Sequence, residues 1–384
     1  MPSTVFTAIT FAGLESVLAN ELRALGATDV EQLTRAVRFS GDQKLMYRAN
    51  YELSTALRIL QPFASFRTKH ENHFYKKVYE IDWQKYLDGQ QTFAVAAVTQ
   101  SKYFTHSKYL ALKTKDAIVD QFRERTGRRP SINRVTPDLE LHVHISRDNL
   151  CTLSINTSGD PLFKRGYRVD TVDAPINEVL AAGMIRLAGW KADCDFIDPM
   201  CGSGTFLIEA AQYAYNIAPQ RHRKRFGFMN RANFDAELWL EVKREAIARE
   251  RDFAHQIIGH DKDFQAIRIT GRNVMAAGLD GKITTSRKLF EKLEPSADGG
   301  LVMMNPPYDE RLGVKDINAF YEMLGDRMKQ HFAGYRVWLI SSNKEAIKHV
   351  GLRPSKKKTL YNGALECKFL EYEMYAGSRR APKA

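Results

Sequence analysis

The chain has 384 residues, of which 44% are hydrophobic and 27% charged. That is ordinary for a globular protein of two or three domains. Lysine and arginine number 57 against 45 acids, a formal charge of +12, which points to a polyanionic partner. The four cysteines, Cys151, Cys194, Cys201 and Cys367, form no Cys-x-x-Cys pair, which excludes a disulfide framework or zinc site as the organising principle.

The N-terminal run lacks a basic segment and meets Glu15 early, a poor signal peptide. Residues 4–11 (TVFTAITF) predict a strand, and GLESVLANELRALG predicts an amphipathic helix ending at Gly26. VEQLTRAVRFSG alternates like strands, DQKLMYRANYEL reads as a helix and ALRILQPFASF as a strand. This order predicts a small ferredoxin-like unit over residues 1–65. A second α/β unit, residues 66–160, follows. It comprises a helix in HFYKKVYEIDWQKYL, a strand in TFAVAAVTQ and a long helix in HSKYLALKTKDAIVDQFRERTG. The loop RRPSINRVTPD and two alternating strands in LELHVHISRDNLCTLSIN complete it.

A cation-rich connector, SGDPLFKRGYR, opens the last unit, residues 161–384. Its most membrane-like run, VLAAGMIRLAGW, is short and carries Arg186, so no membrane span is expected. Beyond it strands alternate with helices: FIDPM then TFLIEAAQYAY, HQIIGHD then FQAIRITGRNVMAAG, then KITTS, LVMMN and RVWLISS. That alternation predicts a mostly parallel, Rossmann-like sheet. Asn362-Gly363 between the final runs predicts an antiparallel hairpin at its end. The fold class is therefore α/β, with an N-terminal α+β region.

Three motifs sit where strands end. In FIDPMCGSGTFLIEAA, Asp198 closes a strand, Gly202 and Gly204 let a ligand approach the backbone, and a helix begins near Thr205. The third glycine of a dinucleotide fingerprint is replaced by Leu207, and no Gly-Lys-[Ser/Thr] is present, so a nucleotide P-loop is excluded. In HQIIGHDKDF, Asp261 ends the next strand, where an acid reaches ribose hydroxyls. It lies far beyond the ~20 residues usual for such an acid. The excess is an insertion, residues 212–254, expected to lie outside the sheet. In LVMMNPPYDERL, Asn305-Pro306-Pro307-Tyr308 follows a buried strand. The prolines fix backbone carbonyls as acceptors. With the Asn305 side chain they can take both hydrogens of an exocyclic amine and aim its lone pair at an electrophile, while Tyr308 offers a stacking face.

Together these motifs resemble a class I S-adenosylmethionine-dependent N-methyltransferase. With the N-terminal half, which resembles a ferredoxin-like segment plus a THUMP RNA-binding domain, the chain is similar to the bacterial 23S ribosomal RNA guanine-N2 methyltransferases. The resemblance implies a donor site at Asp198, Pro199, Cys201, Gly202, Ser203, Gly204, Thr205, Asp261, Lys262 and Asp263. Asn177, in the helix before the first strand, would close over the methionine end. Asn305, Pro306, Pro307 and Tyr308 would hold the target base. Family members usually carry an Asp after the third strand; here Arg287 and Lys288 stand in that region. The cationic segments Lys164, Arg165, Arg168 and Arg221, Arg223, Lys224, Arg225, with Arg123, Arg125, Arg128 and Arg129, are candidates for RNA phosphates. Phe226 and Phe228 would either stack on unpaired bases or pack the insertion onto the core. A cytoplasmic enzyme acting on large-subunit RNA is expected, without metal or membrane. A transfer RNA substrate, a DNA adenine-N6 methyltransferase and a non-catalytic assembly factor are the competing readings.

Overall fold

The structure is a computed structural model and describes residues 3–172, 175–295, 299–308 and 316–375. Its N-terminal half comprises β1 (Thr4–Ile9), α1 (Glu15–Ala24), β2 (Thr28–Leu33), β3 (Ala36–Gly41), α2 (Gln43–Glu52) and β4 (Arg58–Arg67). Then come α3 (Glu71–Tyr79), β5 (Thr92–Thr99), α4 (Ser107–Thr126), β6 (Ser131–Ile132), β7 (Leu139–Ile145) and β8 (Leu150–Asn156). The termini follow local chemistry. Asp42 caps α2 by accepting from Leu45 N at 2.8 Å, and α4 stops at Gly127, whose φ is +66°. Along β7, Leu139, Leu141, Val143 and Ile145 are buried while Glu140, His142 and His144 face the other way. That buried row packs against Phe74, Ile118 and Phe122 of the helices.

All eight strands form one sheet in the order β2-β3-β1-β4-β8-β7-β5-β6. The join is β4, antiparallel to β1 on one side and to β8 on the other, from Leu60↔Asn156 to Arg67↔Leu150. The register shifts between Pro62 and Ala64, which accommodates a proline with no N–H to give to the ladder. The helix expected over HFYKKVYEIDWQKYL is shorter: α3 ends at Tyr79 and residues 83–85 form a separate turn. Trp83 causes the break. Its ring is fully buried, its Nε1 donates to Val78 O at 2.9 Å and its backbone N to Gln121 Oε1 at 3.1 Å.

The C-terminal half comprises α5 (Glu178–Leu187), β9 (Asp195–Asp198), α6 (Thr205–Ala214), α7 (Ala236–Ala248), β10 (Ile257–Asp261) and α8 (Phe264–Ala276). After these come β11 (Thr284–Arg287), β12 (Gly300–Met304), α9 (Ile317–His331), β13 (Tyr335–Ser341), β14 (Lys356–Asn362) and β15 (Leu365–Glu373). The sheet order is β11-β10-β9-β12-β13-β15-β14. Every neighbouring pair from β11 to β13 is parallel, and β15 runs antiparallel to both β13 and β14. Chain order reverses across β9, so the cleft beyond the carboxyl ends of β9, β10 and β12 is the topological switch point where open α/β sheets bind ligands.

The 212–254 insertion contributes no strand but carries α7, a helix not foreseen from sequence. Trp239 of α7 meets Tyr51 and Tyr47 of α2 edge-on at 5.3 and 5.9 Å, and Lys44 bridges Glu241 and Glu245 at 2.7 Å each. The insertion thus ties the two halves together. Among the described residues no helix is long and apolar enough to cross a membrane.

Candidate active site

The donor-type loop forms because β9 ends in a buried acid and the chain must turn at once into α6. Gly202 and Gly204 take the turn at φ +54° and +81°. A Cβ on Gly204 would meet Thr270 at 2.8 Å, so this position needs glycine for both conformation and space. Cys201 N donates to His260 O at 2.9 Å and Gly204 N to Cys201 O at 2.7 Å. Thr270 Oγ1 donates to Gly202 O, and Asn273 Nδ2 to Ser203 O, both at 2.9 Å. These α8 side chains brace the loop from behind. Cys201 is buried, which pushes its thiol well above the ordinary range, so it is a packed wall residue rather than a nucleophile.

Asp261, at the end of β10, fastens the two motifs together. Its Oδ2 accepts from Gly202 N at 2.9 Å and its Oδ1 from Asp263 N at 3.0 Å. An ionised carboxylate has about four acceptor positions, so roughly two stay free to face the cleft. Asp263 caps α8 by accepting from Gln265 N at 2.8 Å. Asp198 is 1% exposed and accepts from Met200 N at 3.1 Å. Burial, with the Asp261 charge adding to it, pushes its carboxyl well above the usual range.

Asn305-Pro306-Pro307-Tyr308 leaves β12 beside this loop. Tyr308 Oη donates to Asn305 Oδ1, and burial raises the Tyr308 phenol well above its usual range. Two groups overlooked in the sequence hold the tetrapeptide from the β13 side. Tyr321 Oη donates to Pro307 O at 3.2 Å and pairs with Ser341 Oγ at 2.7 Å. Asn343 Nδ2 donates to Tyr308 O at 2.8 Å, and Asn343 Oδ1 accepts from Ala346 N at 2.9 Å. The carbonyls of Pro307 and Tyr308 are thereby used internally.

One cavity of about 580 Å³ brings Asp198, Pro199, Cys201, Gly202, Ser203, Thr205, Asp261, Lys262 and Asp263 together with Asn305, Pro306, Pro307 and Tyr308. Leu289, Phe290 and Glu291, just past β11, complete its far wall. In the sequence their signal was an apolar pair and an acid following a polar strand. Arg287 and Lys288 turn elsewhere: Arg287 Nε donates to Lys262 O at 2.9 Å, and Lys288 uses its backbone N on Asp261 O at 3.0 Å. Among the described residues no cluster of three or more His, Cys, Asp or Glu is disposed to hold a metal.

Other sequence candidates fall outside this cavity. Asn177 caps α5, accepting from Val179 N at 2.9 Å, and lines a neighbouring cavity. Arg165 is fully buried, 2.8 Å from Glu209 and donating to Ser54 O at 2.7 Å. Arg168 pairs with Glu178 at 3.1 Å and donates to Ile176 O and Thr205 Oγ1. Arg223 donates to the carbonyls of Pro161, Ser158, Asp160 and Arg225, and burial lowers its pKa to about 10. These three guanidiniums hold the fold together instead of facing solvent. Lys164, Arg221, Lys224 and Arg225 are exposed. Lys164 pairs with Asp160 at 3.2 Å and Arg221 with Glu250. Of the α4 end, Arg123 and Arg125 pair with Asp120 and Asp82, while Arg128 and Arg129 are exposed. Phe226 and Phe228 are buried and stack on each other at 5.1 Å, so they pack the insertion onto the core.

Comparison with known proteins agrees with this geometry. Residues 165–371 match the RMKL-like methyltransferase domain, 68–156 the THUMP domain and 5–60 the RlmL ferredoxin-like domain. The ribosomal RNA large subunit methyltransferase K/L of Syntrophotalea carbinolica is 40% identical over 94% of this chain, but the chain spans only about half (52%) of that relative's length. The Synechocystis protein slr0064, named provisionally as an RNA methyltransferase, is 37% identical over 94% of this chain and 95% of its own. The crystal structure of SMU.472, provisionally a methyltransferase and complexed with SAH, superposes with a TM-score of 0.86, at 28% identity over 98% of this chain and 100% of that one. The chain belongs to the THUMP-bearing, RMKL-like methyltransferases of class I fold.

Proposed function

We propose that the protein transfers a methyl group from S-adenosylmethionine to the exocyclic N2 amine of a guanine in RNA, large-subunit ribosomal RNA above all. The observation that carries this reading is the shared cavity, in which the amine-acceptor tetrapeptide faces the glycine turn and the two strand-end acids. The K/L relative acts on large-subunit RNA by its name, and the SMU.472 structure holds the demethylated donor. The chain divides by function into residues 1–65, 66–160 and 161–384: the first two capture RNA and the third carries out transfer.

The residues fit the donor. Gly202, Ser203 and Thr205 face its methionine end with Asp198, Gly204 turning the loop without lining the cavity. The free acceptor positions of Asp261 take the ribose hydroxyls, and Asp263 lies toward the adenine. Glu291, on the cavity wall beyond β11, takes the place of the acid expected after the third strand and accepts from the adenine amine. The donor, when bound, supplies an electrophilic methyl group. Asn305 Oδ1 and Pro306 O accept the two hydrogens of the target amine and turn its lone pair toward that methyl, while the Tyr308 ring stacks on the base. No strong base is required, because the nitrogen gives up its proton to solvent after attack. Orientation is the main catalytic contribution.

The test is nucleoside mass spectrometry of ribosomal RNA, transfer RNA and DNA from a strain lacking the gene. Loss of one N2-methylguanosine from large-subunit RNA is the expected result. Loss from transfer RNA alone, or of methyladenine from DNA, replaces the substrate; no loss anywhere ends the enzymatic reading.

A further inference from the structure

We propose that a second cavity, of about 530 Å³, is a nucleotide subsite that receives an unpaired RNA nucleotide adjacent to the target base. The inference rests on the RNA reading above and adds a determinant of sequence context to it.

The second cavity adjoins the first. Pro175 lines both. Arg168 lines the second and donates to Ile176 O at 2.8 Å and Thr205 Oγ1 at 2.9 Å, both residues of the first. The shared wall puts the second cavity within reach of a strand that delivers one base to Tyr308. Three separate parts of the chain meet there. Phe11 follows β1, Phe163 and Lys164 come from the connector, and Asn362 sits at the β14–β15 turn.

Their chemistry suits a nucleotide. Phe11 and Phe163 are partly buried, packed against the central core on one side, and line the cavity on the other. Aromatic faces of this kind bind unstacked bases. The guanidiniums of Arg165 and Arg168 are matched by Glu209 and Glu178, so neither carboxylate opposes an anion. Among the described residues the Lys164 ammonium pairs only with Asp160, an exposed pair at 3.2 Å, a weak tie that a phosphate can replace. The Asn362 side chain has no hydrogen-bond partner among the described residues and can read a base edge. Arg165, which lines the cavity, is held to the N-terminal half by donating to Ser54 O at 2.7 Å, and Phe11 of that half completes the lining.

The test is methyl transfer by the full chain to in vitro transcribed large-subunit ribosomal RNA. Phe163→Leu keeps the apolar packing and removes the ring. It should raise KM for RNA roughly tenfold, the loss of one stacked base, with kcat, donor affinity and melting temperature unchanged. Phe163→Tyr should restore KM, and Asn362→Ala should raise it. A wild-type KM in Phe163→Leu overturns the subsite and leaves the cavity to another occupant, such as a protein. A defect in kcat or donor affinity shared by Phe163→Tyr also overturns it, because that marks a structural role. If the wild-type chain methylates no RNA, the functional reading itself falls and the subsite with it; an active wild type with an unaffected Phe163→Leu removes the subsite alone.

Discussion

The Tyr308 hydroxyl donates to Asn305 Oδ1, so on the proposed reading the residue that stacks on the base also covers the acceptor for the target amine. Base entry must shift this hydroxyl or share the amide oxygen's second lone pair with it. The two side chains are thereby coupled, and their substitutions should separate cleanly. Asn305→Ala removes an acceptor that matters most as charge develops on the nitrogen, and should lower single-turnover methyl transfer by roughly 10²–10³. Tyr308→Ala should act mainly on KM, through about 1–3 kcal/mol of lost stacking. Tyr308→Phe keeps the ring, frees the Asn305 oxygen and should retain most of kcat. Transfer at the wild-type rate by Asn305→Ala would reduce the tetrapeptide to a strand terminator.

Asp261 has a structural task and a proposed one, which two substitutions can distinguish. Its carboxylate accepts from Gly202 N and Asp263 N and, on the proposed reading, from the donor ribose. Asp261→Ala should weaken donor binding by on the order of 1.5–3 kcal/mol, the scale of charge-assisted hydrogen bonds, and should also loosen the glycine turn. Asp261→Asn keeps one side-chain oxygen and should lose less. Calorimetric titration of the folded variants checks both. Unchanged donor affinity in Asp261→Ala would remove the ribose role.

Asp198 should make donor binding sensitive to pH. Burial, and then the neighbouring Asp261, hold its folded-state pKa well above the ordinary carboxylate value. A raised folded pKa means that this part of stability is fully present below the unfolded value of about 3.9 and is lost as pH rises through the folded one. On the proposed reading the donor's cationic group lies beside Asp198 and favours its ionised form, so binding should expel a proton, and donor affinity should rise with pH and level off above the folded pKa. Calorimetry in two buffers of different ionisation enthalpy should detect proton release. Asp198→Asn should abolish it and melt higher at neutral pH without donor. Equal binding enthalpies in both buffers for the wild type would contradict this.

The glycine turn after β9, the acid ending β10 and the Asn-Pro-Pro-Tyr stop after β12 were legible in the sequence because each is local structure: a strand, a sharp stop and the residues that make it. The cleft itself was legible in outline, since it follows from strands alternating with helices. Non-local facts were not. Pairing of β4 with β8, which fuses the N-terminal strands into one sheet, depends on segments far apart in sequence. Trp83, which ends α3 early, gives its backbone N to Gln121 of α4, far along the chain. Nothing in Lys164-Arg165 tells which cation is exposed, because Glu209, which buries Arg165, lies on α6. Tyr321 and Asn343 support the tetrapeptide from elements with no motif of their own.

The cations divide accordingly, and the division can be measured. Arg165 is buried against Glu209, whose carboxyl burial raises to about 7. Arg165→Ala leaves that acid with the Tyr167 hydroxyl but no counter-ion and should cost up to about 3–5 kcal/mol of stability where Glu209 stays ionised, seen as a fall in denaturation midpoint that shrinks as pH falls and Glu209 takes up a proton. Lys224 and Arg225 are exposed and have no ion-pair partner among the described residues. Replacing both with alanine should change stability by less than about 0.5 kcal/mol. If they meet phosphates, the double variant should bind RNA more weakly, and the slope of log affinity against log salt should fall by roughly one per charge removed. A double variant with unchanged slope would move the RNA path away from the 221–225 segment. An Arg165→Ala protein as stable as wild type at a pH where Glu209 is ionised would mean that the buried pair adds nothing to stability.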